Sequence, residues 1–240
     1  MSRNRERKPV IDLYYYTSPN VRKVLIALEE TGLEYSIKWT DIREGDQFLD
    51  EFLRINPNAK VPAVVDHDGP GGRPLALFES GAILSYLAEK SGRLLPEDPA
   101  RRWEAICWTF WQAANQGPMV GQATHFLRYA PQVGVDSEYA KGRYLTETRR
   151  LYQVLDDRLA DREYLVGEFS IADIACYPWT RVAAGHGIDV ADYPNVKAWT
   201  DRIAARPSAK VKIAEPARAA ATGEYTPEQF QRLFRPASTS

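Results

Sequence analysis

Residues 10–32 read VIDLYYYTSPNVRKVLIALEETG, and this stretch decides the fold. Residues 10–16 are rich in β-branched and aromatic side chains, and the turn-forming residues 17–20 end this predicted strand. Gly32 stands where the helix after the turn is expected to end. The apolar residues of that helix recur at the amphipathic spacing and are Val21, Val24, Leu25 and Leu28. Because a second predicted strand follows at residues 35–39, the order favours a parallel pair with a right-handed crossover.

The rest of the N-terminal half continues with short elements. Residues 48–55 predict a helix that Pro57 ends, because proline cannot continue a helix. Residues 61–66 and 75–78 predict two strands, and the glycine-rich turn between them suits an antiparallel hairpin. A further helix is predicted at residues 79–91. The sum is a four-stranded mixed sheet with helices, of the thioredoxin-like type.

Beyond the proline-containing loop at residues 92–100, strand patterns stop and long helical patterns begin. One apolar stripe at helical spacing comprises Trp103, Ile106, Cys107, Phe110 and Trp111. A second stripe spans residues 144–159, and more helices are predicted at residues 170–184 and 193–205. We therefore predict two domains, an α/β thioredoxin-like N-terminal domain and an all-α C-terminal helix bundle. The predicted boundaries are 9–91 for the first domain, 92–100 for the linker, 101–220 for the helical domain and 221–240 for a polar tail.

The composition excludes several classes of protein. A net charge of -1 over 240 residues provides no basic surplus, so we expect no nucleic-acid partner and no membrane-surface partner. No run approaches the roughly 18 apolar residues of a spanning helix. The opening residues, MSRNRERKP, lack the apolar core of a signal peptide. These features predict a cytoplasmic protein.

The cysteines and histidines predict no metal site. Cys107 and Cys176 form no CxxC pair, and His67, His125 and His186 have no metal-like spacing. A structural zinc and a dithiol redox site are therefore both unsupported. Because each cysteine falls within a predicted helix stripe or helix interior, we expect both to be inert core thiols.

Val61-Pro62 stands at the entry to the third predicted strand, where proline removes a donor from the ladder. If the bond is cis, the chain turns sharply and presents the backbone N–H and C=O of Val61 outward. An extended peptide could then pair with Val61 as an added strand does. The alternative is an ordinary trans proline at a strand edge.

Glu79-Ser80 opens the helix that follows the hairpin. The hydroxyl of Ser80 and the nearby N–H groups suit a carboxylate, because the beginning of a helix is electropositive. Glu79 could hold an ammonium group, so the pair matches the two charges of an α-amino acid. The alternative is that the two residues only cap the helix.

Residues 17–20 connect the first predicted strand to the first predicted helix. The beginning of that helix is a favourable place for an anionic sulfur. A thiolate there would meet the helix dipole, the Ser18 hydroxyl and the Asn20 amide, each of which stabilises negative charge. The alternative is a simple N-terminal cap with Pro19 at the first helical position.

Two features of the helical half complete the pattern. Residues 116–122 place a proline and two glycines inside a long helix, and we expect this break to open a second-substrate pocket lined by Gln122, His125 and Phe126. The alternative is a kink that accommodates the neighbouring domain. Ser170 and Asp173 have the spacing of a capping box, which is a folding signal and not a catalytic one.

The chain resembles the glutathione transferase superfamily over residues 10–207. Within it, five separated runs are similar to the nu-class bacterial enzymes and the related fungal disulfide-reductase group: LYYYTSPNVRKVLIALEE, EFLRINPNAKVPAVVD, LFESGAILSYLAEK, FWQAANQGPMVGQ and EFSIADIACYPW. The resemblance implies that the Val61 backbone pairs with the cysteinyl unit of glutathione, before a cis Pro62, and that Glu79 and Ser80 hold the γ-glutamyl end. Other implied glutathione contacts are Gln47, Asn58, Lys60 and Arg143.

The resemblance implies that Ser18 and Asn20 flank the sulfur and are the catalytic residues, without an obligatory tyrosine. Tyr14, Tyr15 and Tyr16 stand close enough in sequence for one of them to supply a phenol donor instead, although strand tyrosines usually pack. The family more commonly has a threonine directly before Pro-Asn. Ser18 keeps the hydroxyl without the methyl group, so a wetter sulfur site is expected.

The implied function is glutathione-dependent reduction of disulfides, with glutathione as cosubstrate in reduced or oxidised form and no metal. Transfer to electrophiles or peroxidase activity would be additional. The expected partners are small-molecule disulfides or electrophiles, and family habit implies a homodimer. The alternative is a non-catalytic regulatory protein that binds glutathione, because a fold does not determine a function.

Overall fold

The computed structural model describes residues 10–214 and 225–234, and its N-terminal part contains a four-stranded sheet. The strands are β1 (Ile11–Tyr15), β2 (Tyr35–Trp39), β3 (Ala63–Asp66) and β4 (Leu75–Phe78). Their order in the sheet is β2-β1-β3-β4, with β1 parallel to β2 and the other pairs antiparallel. The predicted parallel pair and hairpin are therefore confirmed.

Three helices accompany the sheet: α1 (Pro19–Thr31), α2 (Asp50–Leu53) and α3 (Ser80–Ser91). The first helix begins where the sequence predicts, because Ser18 caps it and Pro19 occupies its first turn. It ends at Gly32, whose φ of 72° lies in the left-handed region that favours glycine. The face of α1 that carries Val21, Leu25 and Leu28 is fully buried.

The C-terminal part is helical. Its helices are α4 (Pro99–Trp111), α5 (Gly117–Thr124), α6 (Glu138–Arg158), α7 (Ile171–Thr180), α8 (Pro194–Ala205), α9 (Pro207–Lys210) and α10 (Pro227–Phe234). A thioredoxin-like sheet joined to a helical domain is the predicted fold class. No helix among the described residues is long and apolar enough to span a membrane.

The predicted helix break at residues 116–122 is wrong. The backbone stays helical from α4 into α5, with π-helical turns at Gln112–Gln116 and His125–Tyr129 on either side of α5. Pro118 lies in the first turn of α5, where a missing N–H is tolerated. A wider π turn lets the chain pass a proline without ending the helix.

The apolar stripe predicted for α4 faces the core only in part, since Ile106 and Trp111 pack against the core and the other three residues are exposed. Trp103 and Phe110 are 69% and 71% exposed, and Cys107 between them is also exposed. The buried face of α4 instead carries Ala105 and Thr109. The prediction that Cys107 is a core thiol is therefore wrong, whereas Cys176 is buried as predicted.

The two halves are joined through α1, which packs against α7 and pairs with Arg206, while Asp173 connects helices within the C-terminal half. The capping box of α7 is confirmed, since Asp173 Oδ2 accepts from the Ser170 N–H at 3.0 Å. Asp173 Oδ1 also accepts from the Leu165 N–H at 2.9 Å and from Trp199 Nε1 at 2.8 Å, which ties α7 to α8. Arg206, after α8, forms a bidentate pair with Glu30 of α1 at 2.8 Å.

Part of the segment described from sequence as a polar tail is the helix α10. Phe230 and Phe234, one turn apart, pack against His125 with ring centroids 6.1 and 4.8 Å away. Arg232 Nη1 donates to the Arg43 carbonyl at 2.6 Å. These contacts place α10 against both the helical domain and the loop that follows β2.

Candidate functional site

The sheet register brings three of the predicted sites to one edge. Tyr14 lies opposite Ala63 in the β1–β3 pair, and Ala63 lies opposite Phe78 in the β3–β4 pair. Ser18 lies three residues after the end of β1, Ser80 lies two residues after the end of β4, and Val61 lies two residues before β3. The beginnings of α1 and α3 therefore flank the Val61-Pro62 bond.

The Ser18 side chain caps the beginning of α1 and accepts one hydrogen bond there. Its Oγ accepts from the Val21 N–H at 3.2 Å, and its extended backbone is that of a helix cap. Because the oxygen is the acceptor in this bond, the hydroxyl hydrogen remains able to donate to another group. Ser18 thus serves as the cap and keeps a donor near the helix end.

Asn20 is oriented by a tryptophan of the helical domain. Trp179 Nε1 donates to Asn20 Oδ1 at 2.8 Å. An indole nitrogen can only donate, so the oxygen of the amide must face Trp179 and the NH₂ group is the free end. The arrangement leaves two amide hydrogens to donate to an anion beside the first turn of α1.

The neighbouring tyrosines pack against aromatic rings. Tyr14 meets Phe52 edge-on at 5.6 Å, and Tyr15 and Tyr16 lie 5.8 and 5.4 Å from Trp39. Burial raises the pKa of Tyr14 above its usual value, so its phenol stays protonated. These contacts agree with the packing role expected for strand tyrosines.

The Val61-Pro62 peptide bond is cis, as predicted for a docking edge. Within the described part of the chain, the N–H and C=O of Val61 make no hydrogen bond. Asn56 holds the loop before them, since its Nδ2 donates to the Lys60 carbonyl at 2.6 Å and its Oδ1 accepts from the Asn58 N–H at 2.9 Å. The side chains of Asn58 and Lys60 are exposed.

At the beginning of α3, Glu79 and Ser80 adopt an unusual arrangement. Glu79 has a φ of 66°, a left-handed conformation that costs about 1–3 kcal/mol in a residue with a side chain. Its side chain is exposed and makes no capping bond. Such strain is found where surrounding structure enforces it, often at binding sites. Ser80, in contrast, is buried.

A buried lysine lies behind Ser80. Lys23 of α1 is 1% exposed, and its Nζ donates to Ser80 Oγ at 3.1 Å and to Gln112 Oε1 at 2.5 Å. Since an ammonium group can only donate, the Ser80 hydroxyl is the acceptor and its hydrogen is free for a ligand. Burial lowers the pKa of Lys23 to about 7, opposed by the charges of Cys176 and Glu79.

The Gln47 side chain is buried in the loop after β2. Its Nε2 donates to the Ile42 carbonyl at 3.1 Å, and its Oε1 has no hydrogen-bond partner among the described residues. A glutathione contact by Gln47 would therefore use the oxygen. The same loop contains Arg43, whose guanidinium lies 4.6 Å from the ring of Tyr225.

The residues predicted to line a second-substrate pocket divide into two groups. His125 lies in an aromatic cluster with Phe126, Tyr129, Phe230 and Phe234, and burial lowers its pKa. The ring of Phe126 also stacks on Tyr144 at 5.5 Å. Gln122, by contrast, is exposed on α5. The structure brings His125 and Phe126 together and leaves Gln122 outside their cluster.

Arg143 is not brought to the sheet edge. It lies on α6, where it is 56% exposed and 3.9 Å from Glu147 one turn later. No contact between Arg143 and the residues of the sheet edge is present in the described structure. No cluster of His, Cys, Asp and Glu within residues 10–214 and 225–234 could hold a metal ion.

Sequence reasoning missed four residues at this edge, which are Lys23, Asn56, Trp179 and Tyr225. A lysine in an amphipathic helix is normally assigned to solvent, and Trp179 lies 159 residues from the Asn20 that it orients. The Pro57 turn gave a local signal for Asn56, because asparagine often accepts from the backbone two residues later. Nothing local indicated that Tyr225 would meet Arg43.

Comparisons with known proteins agree with this geometry. A family model for the glutathione S-transferase N-terminal domain matches residues 17–90, and one for the C-terminal domain matches residues 119–207. The disulfide-bond oxidoreductase YfcG of Escherichia coli is 50% identical over 201 residues, which cover 83% of this chain and 92% of that protein.

Solved structures give the same result. A glutathione transferase from Burkholderia graminis, with two glutathione molecules bound per subunit, is 43% identical with a TM-score of 0.81, over 85% of this chain and 88% of that one. A glutathione transferase from Pseudomonas putida, with one glutathione disulfide bound per subunit, is 38% identical with a TM-score of 0.80, over 85% and 91%. The chain belongs to the glutathione S-transferase family.

Proposed function

We propose that this protein is a glutathione-dependent disulfide-bond reductase. A glutathione thiolate attacks one sulfur of a disulfide RSSR, which gives the mixed disulfide GSSR and releases RS⁻. A second glutathione thiolate attacks the glutathione sulfur of GSSR, which gives GSSG and releases the second RS⁻. Two glutathiones are oxidised by one electron each, and the disulfide gains both electrons and two protons from solvent.

The observation that carries this proposal is the donor set at the beginning of α1. The free hydroxyl hydrogen of Ser18 and the free amide hydrogens of Asn20 can both donate to a sulfur there. Hydrogen bonds to a thiolate and the helix dipole stabilise the charged form, which lowers the thiol pKa from about 8.5. More thiolate is then present at neutral pH. The cosubstrate supplies the reactive sulfur, so the protein itself needs no catalytic cysteine.

The rest of the tripeptide has a complementary edge. The unpaired N–H and C=O of Val61 would pair with the cysteinyl unit, next to Pro62. The γ-glutamyl carboxylate would accept from Ser80 and its ammonium group would meet Glu79. Gln47, Asn58 and Lys60 would lie near the other parts of the tripeptide, and Arg143 would contribute after movement of its exposed side chain.

We place the protein with the nu-class enzymes, with transferase and peroxidase activities as weaker reactions of the same thiolate. The 50% identity to the oxidoreductase YfcG supports this assignment. We also propose a homodimer, because Trp103, Cys107 and Phe110 give α4 an exposed apolar face of the kind that subunit interfaces cover. The cytoplasmic location stays a prediction.

The test is NADPH-coupled recycling of glutathione with 2-hydroxyethyl disulfide as substrate. We expect NADPH consumption well above the uncatalysed rate, and a loss of about 10-fold or more in kcat for Ser18→Ala, since one donor to a developing charge is removed. Ser137 caps α6 in the same way that Ser18 caps α1, so Ser137→Ala is the matched control for the loss of a helix cap. Binding of glutathione by calorimetry without any turnover would favour the regulatory alternative.

A further inference from the structure

A cavity of about 370 Å³ lies beside the beginning of α1. Pro19 forms one side of it, and Trp179 and Arg181 at the end of α7 form another. The third side comes from Thr124 and Arg128 near the end of α5. This volume is within the range of small-molecule sites, which is about 300–1,000 Å³.

The cavity is positively charged. Arg128 and Arg181 both line it; Arg181 lies 6.0 Å from the ring of Tyr177, and neither arginine forms an ion pair within the part of the chain that the structure describes. No described lining residue is an aspartate or a glutamate. Two uncompensated guanidinium groups at one opening favour an anionic occupant, and guanidinium geometry matches carboxylates well.

The side chain of His186 also lines the cavity, and its protonation is affected by Arg128. The pKa of His186 is lowered, first by burial and then by Arg128. The Thr124 hydroxyl donates to the Val120 carbonyl at 3.0 Å, so it accepts from His186 Nε2 at 2.8 Å, a bond that a neutral imidazole can make. The positive charge of the cavity therefore comes from the arginines, and His186 packs beside them.

The cavity adjoins the proposed position of the glutathione sulfur. Pro19 follows Ser18 directly, and Trp179, which lines the cavity, holds the Asn20 amide. A molecule that occupies the cavity would thus reach the donors at the beginning of α1. The predicted pocket around His125 and Phe126 is, in contrast, filled by aromatic rings, including Phe234 of α10.

We propose that this cavity binds the second substrate and selects disulfides that carry a carboxylate. The inference rests on the proposed disulfide-reductase function. Arg128 and Arg181 would hold the carboxylate of RSSR while the glutathione thiolate attacks the nearer sulfur. The bond between the two substrate sulfurs breaks, GSSR forms, and the departing RS⁻ takes a proton from solvent.

The first experiment compares three small disulfides of different charge in the glutathione recycling assay. These are 3,3′-dithiodipropionate, which is anionic, 2-hydroxyethyl disulfide, which is neutral, and cystamine, which is cationic. We expect Arg128→Gln and Arg181→Gln each to lower kcat/KM for the anionic substrate at least about 10-fold, which corresponds to about 1.4 kcal/mol. For the neutral substrate we expect less than about a 2-fold change, and for cystamine an increase.

Arg150→Gln is the matched control, because it removes the same charge from α6 at a pair with Glu147. We expect this variant to leave all three kcat/KM values unchanged. A loss that is equal for the three substrates in Arg128→Gln and Arg181→Gln would overturn the proposal, since it would indicate a general disturbance of the site.

A binding measurement separates this inference from the proposed function. Suberate is the carbon analogue of dithiodipropionate and cannot be reduced, while 1,8-octanediol has a similar chain without charge. We expect calorimetry to detect suberate binding that the two arginine variants lose, and no binding of the diol. Suberate binding without turnover of any disulfide would support the anionic site and refute the reductase. Turnover without charge preference, together with no suberate binding, would refute the anionic site alone.

Discussion

Replacement of Lys23 by methionine should separate glutathione affinity from stability. Lys23 is fully buried and donates to Ser80 and Gln112, so Lys23→Met keeps the length of the side chain and removes the charge with both bonds. The Ser80 hydroxyl then loses the group that fixes it as an acceptor. We expect weaker binding of the γ-glutamyl carboxylate by about 1.5–3 kcal/mol, or about 10- to 100-fold, the range for hydrogen bonds to charged groups.

The stability of the same variant follows from proton linkage. Burial lowers the pKa of Lys23 from 10.5 to about 7. Between these values the folded protein binds fewer protons than the unfolded chain, so the free energy of unfolding increases as pH rises from about 7 to about 10.5. The wild type loses stability as pH falls through this window, by up to about 4–5 kcal/mol from this group. Lys23→Met should lack that slope and should not be less stable at neutral pH by more than about 2 kcal/mol.

The assay is calorimetric titration with S-methylglutathione, whose blocked thiol does not titrate, at about pH 6 and about pH 8.5. The wild-type advantage over Lys23→Met should shrink at the higher pH, because Lys23 loses its charge. An analogue that lacks the carboxylate, 4-aminobutyryl-cysteinyl-glycine, should bind both proteins equally. Lys197→Met, an exposed lysine paired with Asp201, is the control. Equal losses for both ligands, or none, would refute the role assigned to Lys23.

The remaining predictions concern three other parts of the molecule. Asn20→Ala should lower kcat more than it lowers glutathione affinity. Trp179→Phe should have the same effect more weakly, because the Asn20 amide keeps its place but loses the hydrogen bond that orients it. Equal losses in kcat and affinity in the recycling assay would indicate that Asn20 only positions glutathione. Asp173→Ala should reduce the free energy of unfolding by about 3–5 kcal/mol in urea titrations, because four buried donors lose their acceptor, while saturated activity stays near wild type. Cys107→Ser and Cys176→Ser should keep turnover, since the reactive sulfur belongs to glutathione; complete loss of turnover in a folded variant would contradict this.

The sheet and the beginnings of the helices could be predicted because their signals are local. Three local motifs each specify a backbone conformation within a few residues: the turn at residues 17–20, the glycines of the hairpin turn, and the capping box formed by Ser170 and Asp173. The cis bond before Pro62 was predicted only in combination with the other motifs, since a single X-Pro pair leaves both forms open.

The orientation of helices could not be predicted in the same way. Trp103 and Phe110 share a face of α4 with Cys107, and apolar periodicity cannot say whether such a face meets the core or a partner surface. Lys23 is an opposite case, since a lysine usually faces solvent but this one is buried between Ser80 of α3 and Gln112, which follows α4. Both outcomes depend on which helices pack together, and that is determined by contacts between residues far apart in the sequence.

The central claim is that the beginning of α1 stabilises the glutathione thiolate, and the thiol pKa of bound glutathione tests it most directly. Titration of thiolate absorbance in the ultraviolet, with protein in excess over glutathione, gives this value for the wild type and for Asn20→Ala. The account predicts a bound pKa at least about one unit below that of the free thiol, and a return towards the free value in Asn20→Ala. A bound thiol that titrates like free glutathione in the wild type would contradict the account.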